Sequence, residues 1–194
     1  MSGMSGMSGV SGIRWLVAPA VAVVGVSSSF STLATQYATV DEAARRAFPD
    51  ATAFKESTLQ LQPAELQAVA AASGLPARSA AWKLLFALQG EQVLGVMVLD
   101  GVLGKFEVID YAVAVGNDGR VRQIEILNYR ESHGYEVRLP SWRKQFVGKG
   151  ADSKLQVGED IANISGATLS SNHVTDGVRR ILAVVATLRR GGRL

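Results

Sequence analysis

The spacing of apolar positions divides the chain into an early helical part, a run of strands and a closing helix. Four segments rich in β-branched and aromatic residues predict antiparallel strands. They cover residues 82–88, 92–99, 106–115 and 121–127. Asn117, Asp118 and Gly119 separate the last two and predict a tight hairpin turn. Apolar residues then recur at spacings of three and four, which predicts one buried face of a final helix. These residues are Val174, Val178, Ile181, Val185 and Leu188.

Two shorter helices are predicted before the strands. Thr39 and Glu42 form a capping-box pattern that begins a helix, which must end before Pro49. A second helix is predicted at residues 63–73, because it opens with Pro63 and is followed by Gly74. Strands followed by a helix indicate an α+β fold, in which helices pack against an antiparallel sheet. We therefore expect a helical N-terminal part at residues 37–80 and the sheet-containing domain at residues 81–190.

The first 36 residues have a different character. Met-Ser-Gly repeats open the chain, and Arg14 then precedes an apolar stretch at residues 15–26. That stretch has the length of a signal-peptide core and is short for a membrane span. A buried helix is the alternative, but Pro19 and the serines at 27–29 make it a poor core element. Residues 1–36 are therefore expected to be a low-complexity start followed by a signal peptide or an uncleaved membrane anchor.

Composition limits the chemistry that the chain can carry. The 20 Lys and Arg residues against 17 Asp and Glu leave a net charge of only +3, which is too small to indicate a nucleic-acid partner. There is no cysteine, so no iron–sulfur cluster, c-type haem or disulfide can form. Only two histidines are present and they have no zinc-ligand spacing. If this protein moves electrons, a bound organic cofactor must carry them.

One segment, residues 164–171, carries the strongest indication of chemistry. Its sequence, Ile-Ser-Gly-Ala-Thr-Leu-Ser-Ser, runs directly into the final helix. In one interpretation Ser165, Ser170 and Ser171 are helix-capping residues. In the other, hydroxyls, Gly166 and the free amides of a helix start form an anion site, where a phosphate ester on Thr168 would be stabilised.

This segment resembles the Ser/Thr-Gly-Ala-Thr-x-Thr/Ser motif of the FMN-binding domain family, which includes the flavin subunits of sodium-translocating NADH:quinone reductases and of Rnf electron-transfer complexes. In that family the last Thr of the motif carries FMN through a phosphoester bond, which a separate flavin transferase forms from FAD. The resemblance implies an FMN-binding-domain-like fold and covalent FMN on Thr168. It also implies cofactor contacts from neighbouring residues. These are Ser165, Gly166, Ala167, Leu169, Ser170 and Ser171.

Two upstream motifs extend the resemblance over roughly residues 90–185. Residues 129–135 resemble the family's Glu-Thr/Ser-x-Gly segment, and residues 142–149 resemble its Phe-x-Gly-Lys segment. The first of these is expected to border the flavin. Gly134 would permit close approach to the ring, and Glu131 would bond to the cofactor or to nearby backbone. Tyr135 or Trp142 would stack on the ring or lie in the core, and His133 would contact the cofactor or remain an exposed bystander.

One position departs from the family pattern. The transferase's usual recognition pattern has an acidic residue three positions before the first Ser/Thr of the motif, and this chain has Ala162 there. Asp160 is the nearest carboxylate. Covalent and non-covalent FMN therefore both stay open at this stage.

Taken together, these features predict an exported or membrane-anchored flavoprotein that acts as an electron-transfer carrier, with a flavin transferase for maturation and a membrane or periplasmic redox partner. The alternative is a non-covalent FMN-binding or assembly module of a membrane redox complex. A hydrolase that uses Ser165 or Thr168 lacks a credible base, since no third group is identified to orient His173. The absence of a Gly-x-Gly-x-x-Gly pattern argues against direct oxidation of NADH.

Overall fold

Antiparallel strands form one sheet at the centre of the part of the chain that the computed structural model describes, namely residues 38–194 and the backbone of Thr35 and Gln36. The strands are β1 (Thr35–Gln36), β2 (Ala53–Gln60), β3 (Ala81–Gln89), β4 (Gln92–Leu103), β5 (Val108–Gly116) and β6 (Val121–Tyr129). They lie in the order β1-β6-β5-β4-β3-β2. The helices are α1 (Val40–Ala47), α2 (Pro63–Ser73), α3 (Pro140–Arg143) and α4 (Thr168–Arg190), with 3₁₀ turns at Tyr135–Arg138 and Lys144–Phe146. The α+β class predicted from the sequence is confirmed.

Helices cover both faces of the sheet. On one face α1 contributes three alanines to a buried cluster that also contains alanines of β5. On the other face α4 packs against β4 and β5, because successive residues of a strand point to opposite faces, and α2 packs against α4. The five apolar positions predicted for the last helix are all at most 1 % exposed. Their burial fixes α4 along the sheet.

The predicted ends of α1 and α2 are confirmed. The Thr39 hydroxyl accepts from the Glu42 amide at 3.2 Å, and the Glu42 carboxylate accepts from the Thr39 amide at 2.9 Å. The same reciprocal arrangement joins Gln62 and Glu65 at the start of α2. Gly74 ends that helix in the left-handed conformation, with φ +67°. These caps satisfy amide groups that a helix start otherwise leaves without partners.

The predicted hairpin between β5 and β6 is also confirmed, and it anchors the far end of α4. Gly119 adopts φ +79°, which the tight turn requires. From the last turn of α4, Arg189 donates to the carbonyl of Asn117 at 2.7 Å and to that of Gly116 at 2.8 Å. The helix is therefore held at its C-terminal end by two charge-assisted hydrogen bonds.

Strand β2 was not predicted, so the expectation of a helical segment at residues 37–80 is incomplete. β2 is an edge strand, and none of its residues is fully buried. Its sequence is dominated by polar residues, which weakens the apolar alternation that identifies a strand. Because β2 pairs with β3 and α2 packs on α4, residues 38–80 share the sheet and core of the following domain.

The predicted signal peptide or membrane anchor lies almost entirely outside the described residues. Its last two positions, Thr35 and Gln36, form β1 and pair with Tyr129 and Asn128 of β6, respectively. Within residues 38–194, no helix combines the length and the apolar character needed to cross a bilayer.

Candidate functional site at the start of the last helix

The segment 164–171, which we call the signature segment, turns sharply into α4. Gly166 adopts φ +81°, a conformation that suits glycine, and no atom lies near the position where a Cβ would stand. The Ala167 amide donates to the Ile164 carbonyl at 3.0 Å and closes the turn. Thr168 is then the first residue of the helix. The turn thereby places the predicted attachment residue at the helix start.

The start of α4 carries no side-chain cap among the described residues. Ala167 occupies the capping position and has no polar side-chain atom to offer. Ser165 is exposed, whereas Ser170 and Ser171 are 4 % and 0 % exposed. The interpretation of these serines as caps is therefore wrong. Ser170 and Ser171 are buried, so Ser165 and Thr168 are the exposed hydroxyls of this segment.

Thr168 itself is exposed. Its hydroxyl oxygen accepts a long hydrogen bond of 3.4 Å from the Asn163 side chain, and Leu169 beside it is 48 % exposed. Helix starts attract anions, because their free amides donate hydrogen bonds and the helix dipole is positive there. A hydroxyl at this point is accessible both to solvent and to a large reactant.

The glutamate loop, residues 130–135, packs directly against the signature segment. Gly134 adopts φ +81°, and a Cβ built on it would stand 2.5 Å from the Ala167 Cβ and 2.8 Å from the Tyr129 hydroxyl. A larger residue cannot occupy this position without displacing one of these neighbours. Gly134 thus permits close packing between two parts of the protein, whereas the sequence suggested approach to a flavin ring.

Tyr129, at the end of β6, connects these elements and was not singled out from the sequence. Its hydroxyl donates to the His133 carbonyl and is also hydrogen-bonded to the Ser170 side chain. Burial raises the pKa of the Tyr129 hydroxyl, and the hydrogen bond with Ser170 opposes that shift. The hydroxyl therefore stays protonated near neutral pH and joins the glutamate loop to the first turn of α4.

Glu131 holds the turn between β4 and β5. One carboxylate oxygen accepts from the amides of Phe106 at 2.6 Å and Glu107 at 3.0 Å. Burial would raise the pKa of Glu131, but these bonds, a third from the Lys105 amide and the Lys105 charge outweigh it, so the pKa is lowered. Of the two partners considered for Glu131, backbone is therefore the one observed.

The remaining predicted residues of the loop differ in exposure. His133 is exposed, and its Nδ1 lies 2.9 Å from the Ser132 hydroxyl. Tyr135 is 53 % exposed, and the Arg138 guanidinium lies 5.7 Å from the centroids of both the Tyr135 and Tyr129 rings. Trp142 is only 6 % exposed. Trp142 is therefore a core residue, and only Tyr135 has a surface that a ligand can reach.

Residues 142–149 form hydrogen bonds with Ala162, just before the signature segment. The Trp142 ring nitrogen donates to the Ala162 carbonyl at 2.8 Å, and the Gln145 side chain accepts from the Ala162 amide at 2.7 Å. Lys149 pairs with Asp160 at 2.9 Å. The same carboxylate also accepts from the amides of residues 155 and 156. Asp160 is thus engaged within its own loop and with Lys149.

Apolar side chains surround this region. Eight large hydrophobic residues are exposed in the described structure, and six of them lie on the segments that meet here. These segments are the β4–β5 turn with its strand ends, the glutamate loop with the turn after it, and the start of α4. The six residues are Leu103, Phe106, Val108, Tyr135, Leu139 and Leu169. Bonds from Glu131 to the β4–β5 turn, and from His173 to the Leu103 carbonyl, hold these segments together. We call these six residues the apolar rim.

Nothing in this arrangement supplies a hydrolytic base or a metal. The Thr168 hydroxyl contacts an amide side chain, and His173 donates through Nδ1 to the Leu103 carbonyl. Within residues 38–194 no cluster of three potential ligands could hold a metal ion.

The described part of the chain is therefore a small α+β domain that presents one threonine at an uncapped helix start, bordered by apolar surface. Comparison with known sequences shows what it resembles. Residues 104–183 match the model of the FMN-binding domain. The matched range begins at the β4–β5 turn and ends within α4, so it includes all three segments of the site. The predicted resemblance to this family is confirmed.

Two relatives illustrate the likeness. Over 113 residues the chain is 32 % identical to a subunit of the proton-translocating ferredoxin:NAD(+) oxidoreductase complex of Clostridium ljungdahlii. The matched region is 54 % of this chain and 60 % of the relative, so less than two thirds of that protein is represented. The fold resembles the crystal structure of Shewanella oneidensis NqrC, with a TM-score of 0.50 and 16 % identity over 75 % of this chain and 88 % of that one. The latter likeness bears on the fold alone.

Replacing Glu131 with Gln tests its hold on the β4–β5 turn. Folding lowers the pKa of Glu131 below its ordinary value of 4.5. The ionised carboxylate therefore stabilises the folded protein fully above pH 4.5, and this stabilisation is lost as the pH falls through the pKa of the folded state. We expect Glu131→Gln to unfold more easily at neutral pH, by roughly 1 kcal/mol for a weakened hydrogen-bond set. Below about pH 4.5 the difference should shrink.

Chemical denaturation of both proteins across this pH range measures the effect. Glu107→Gln is the matched control, since Glu107 is an exposed neighbour whose carboxylate makes none of these bonds. A difference between wild type and Glu131→Gln that does not change with pH would contradict the assignment.

Proposed function

We propose that this chain is a flavin carrier that holds FMN through a phosphoester on Thr168 and passes electrons between partners of a membrane redox assembly. The observation that carries the proposal is the exposed Thr168 hydroxyl at an uncapped helix start, within the region that matches the FMN-binding domain model. That match supports FMN binding, whereas the covalent bond and the electron-transfer role are inferences.

The residues present fit a flavin phosphate. A phosphodiester on Thr168 would keep one negative charge, and the first amides of α4 have no competing side-chain acceptor there. Gly166 has open space around its α-carbon, so the approach to these amides is not obstructed by a side chain. Ala167 faces inward against Gly134 and leaves the outer side of the turn to Thr168.

Attachment needs a nucleophile and a donor. The Thr168 oxygen would form a bond to the FMN phosphorus of FAD, while the bond between the two FAD phosphates breaks and AMP leaves with its electron pair. The hydroxyl proton would pass to a base of the flavin transferase. Among the described residues no base contacts this hydroxyl, since its partner is the Asn163 amide. A separate enzyme is therefore part of the proposal.

The apolar rim supplies a surface for a planar, largely apolar ring. Phe106 is 70 % exposed and Tyr135 is 53 % exposed, so a ligand can reach both rings. Both would shield one face of the ring from water and limit its orientations. Bound FMN would supply one- and two-electron transfer, and the chain's own contribution is to hold it and set its surroundings.

The setting of this carrier is inferred from two observations. Its Clostridium ljungdahlii relative is a subunit of a redox complex, and residues 15–26 have the composition of a signal peptide or anchor. We therefore propose an exported chain at the extracytoplasmic side of a membrane, with a membrane or periplasmic redox partner.

One observation favours a second candidate, an FMN-binding or assembly module without covalent flavin. Ala162 stands where the transferase's pattern has an acidic residue, and Asp160 is engaged by Lys149 and by backbone amides. Asp160 is thus not positioned to replace the missing carboxylate. In this alternative the same surface would bind FMN reversibly.

Substitution of Thr168 tests the covalent proposal. We expect the full-length chain, co-produced with an active flavin transferase in an exporting host, to gain the mass of FMN less one water under denaturing conditions. Thr168→Val should abolish the gain completely, because it removes the nucleophilic oxygen. Thr58→Val is the matched control, since it makes the same substitution at an exposed threonine of β2, outside the motif, and should keep the gain.

The outcome separates the two candidates. Retention of the added mass in Thr168→Val would refute attachment at Thr168. No added mass in wild type, with the transferase active on another substrate, would refute covalent attachment and favour the reversible module.

A second variant tests the effect of residue 162. Ala162→Asp restores the acidic residue of the recognition pattern on an exposed position, where a charge costs little. We expect the flavinylated fraction in the same mass measurement to rise, by about tenfold if the missing contact is a charge-assisted hydrogen bond. An equal fraction in wild type and Ala162→Asp would show that the transferase does not depend on this position.

A further inference from the structure

A small cavity lies against α4, beyond the first turns of the helix that contains Thr168. It has a volume of about 220 Å³ and is lined by Arg78, Val102, Leu103, His173, Asp176 and Arg180. That volume is below the range of roughly 300–1,000 Å³ that holds drug-sized ligands. The cavity therefore suits a compact group.

Arg180 is the most unusual residue of this lining. It is only 6 % exposed, and its Nε donates to the Pro76 carbonyl at 2.7 Å. Its Nη1 is buried and has no hydrogen-bond partner among the described residues. A buried guanidinium nitrogen without an acceptor is costly, because the group has lost its water without replacing those bonds.

Arg78 brings a second guanidinium to the same cavity. It is held there by a bond from Nη1 to the Gly101 carbonyl at 3.1 Å. Its backbone adopts φ +60°, which is uncommon for a residue with a side chain. The fold thus maintains Arg78 in an unfavourable conformation that places its charge beside that of Arg180.

The neighbouring carboxylates do not neutralise these cations fully. One carboxylate oxygen of Asp100 accepts from the Tyr111 hydroxyl at 2.7 Å and is engaged by that bond. Asp176 pairs with Arg179 at 2.8 Å. Burial lowers the pKa of Arg180, and the Arg78 charge adds to that shift, whereas Tyr111, Asp100 and Asp176 oppose it. Among the residues that line the cavity, two arginines against one aspartate leave one positive charge in excess.

We propose that the cavity between Arg78 and Arg180 binds a small oxyanion, either a phosphate or a carboxylate group. Guanidinium groups are suited to this chemistry, since their planar donors match two oxygens at once. An oxyanion would accept from the Arg180 nitrogen that now has no partner and would separate two like charges. This site does not include Thr168, although it shares Leu103 with the apolar rim.

The proposal is tested by adding inorganic phosphate, and separately acetate, to the full-length chain. Isothermal titration calorimetry measures binding directly, and the rise in the thermal unfolding midpoint measures it independently. We expect saturable binding to wild type. Arg78→Gly should weaken it by about tenfold or more through loss of a charged donor, while glycine accepts the φ of +60° and protects the fold. Arg180→Lys keeps the charge but removes the planar donor pair, and it should weaken binding similarly.

A control variant and a competition measurement complete this experiment. Arg45→Gln removes an exposed charge from α1, on the opposite face of the sheet, and should leave phosphate binding unchanged. Competition by vesicles of phosphatidylglycerol would identify a lipid headgroup as the source of the oxyanion, and lack of competition would identify a soluble one. Absence of saturable binding to wild type, or equal binding to Arg78→Gly and Arg45→Gln, would overturn the proposal.

Discussion

The contact between Gly134 and Ala167 is the constraint on which the rest of the site depends. These residues come from different motifs, and the space between them leaves no room for a Cβ on Gly134. Because they touch, the glutamate loop is fixed against the start of α4, and the Tyr129 hydroxyl can bond to both. Glu131 then fixes the β4–β5 turn to the same unit. One close approach thus brings together three segments that are far apart in sequence.

The helix that carries Thr168 is stable without a cap at its start. Burial of one apolar face along its length and the bonds from Arg189 at its far end hold it in place. The stability of the whole helix thereby offsets the cost of leaving its first amides without internal acceptors. A long, well-packed helix can present free amides and an exposed hydroxyl, which a short isolated helix could not.

Sequence patterns anticipated most of this architecture, and they did so where the physical signal is local. Capping residues located α1 and α2, the Asn-Asp-Gly turn located the hairpin, and apolar spacing located the buried face of α4. Strand β2 was missed because an edge strand buries little and therefore shows little alternation. The linking role of Tyr129 and the backbone bonds of Glu131 could not be predicted, since they depend on contacts between distant segments. The buried Arg180 was unpredictable for the same reason.

The most direct test of the central claim is to find where flavin is attached in the protein purified from its native host. Cleavage after Lys154 and Arg179 releases a peptide of residues 155–179, which contains Thr168 together with Ser165, Ser170, Ser171 and Thr175. Fragmentation by tandem mass spectrometry then assigns the added mass to one hydroxyl. Our account predicts FMN on Thr168, the hydroxyl that the structure exposes at the helix start. An unmodified peptide, or FMN on any other residue, would contradict it.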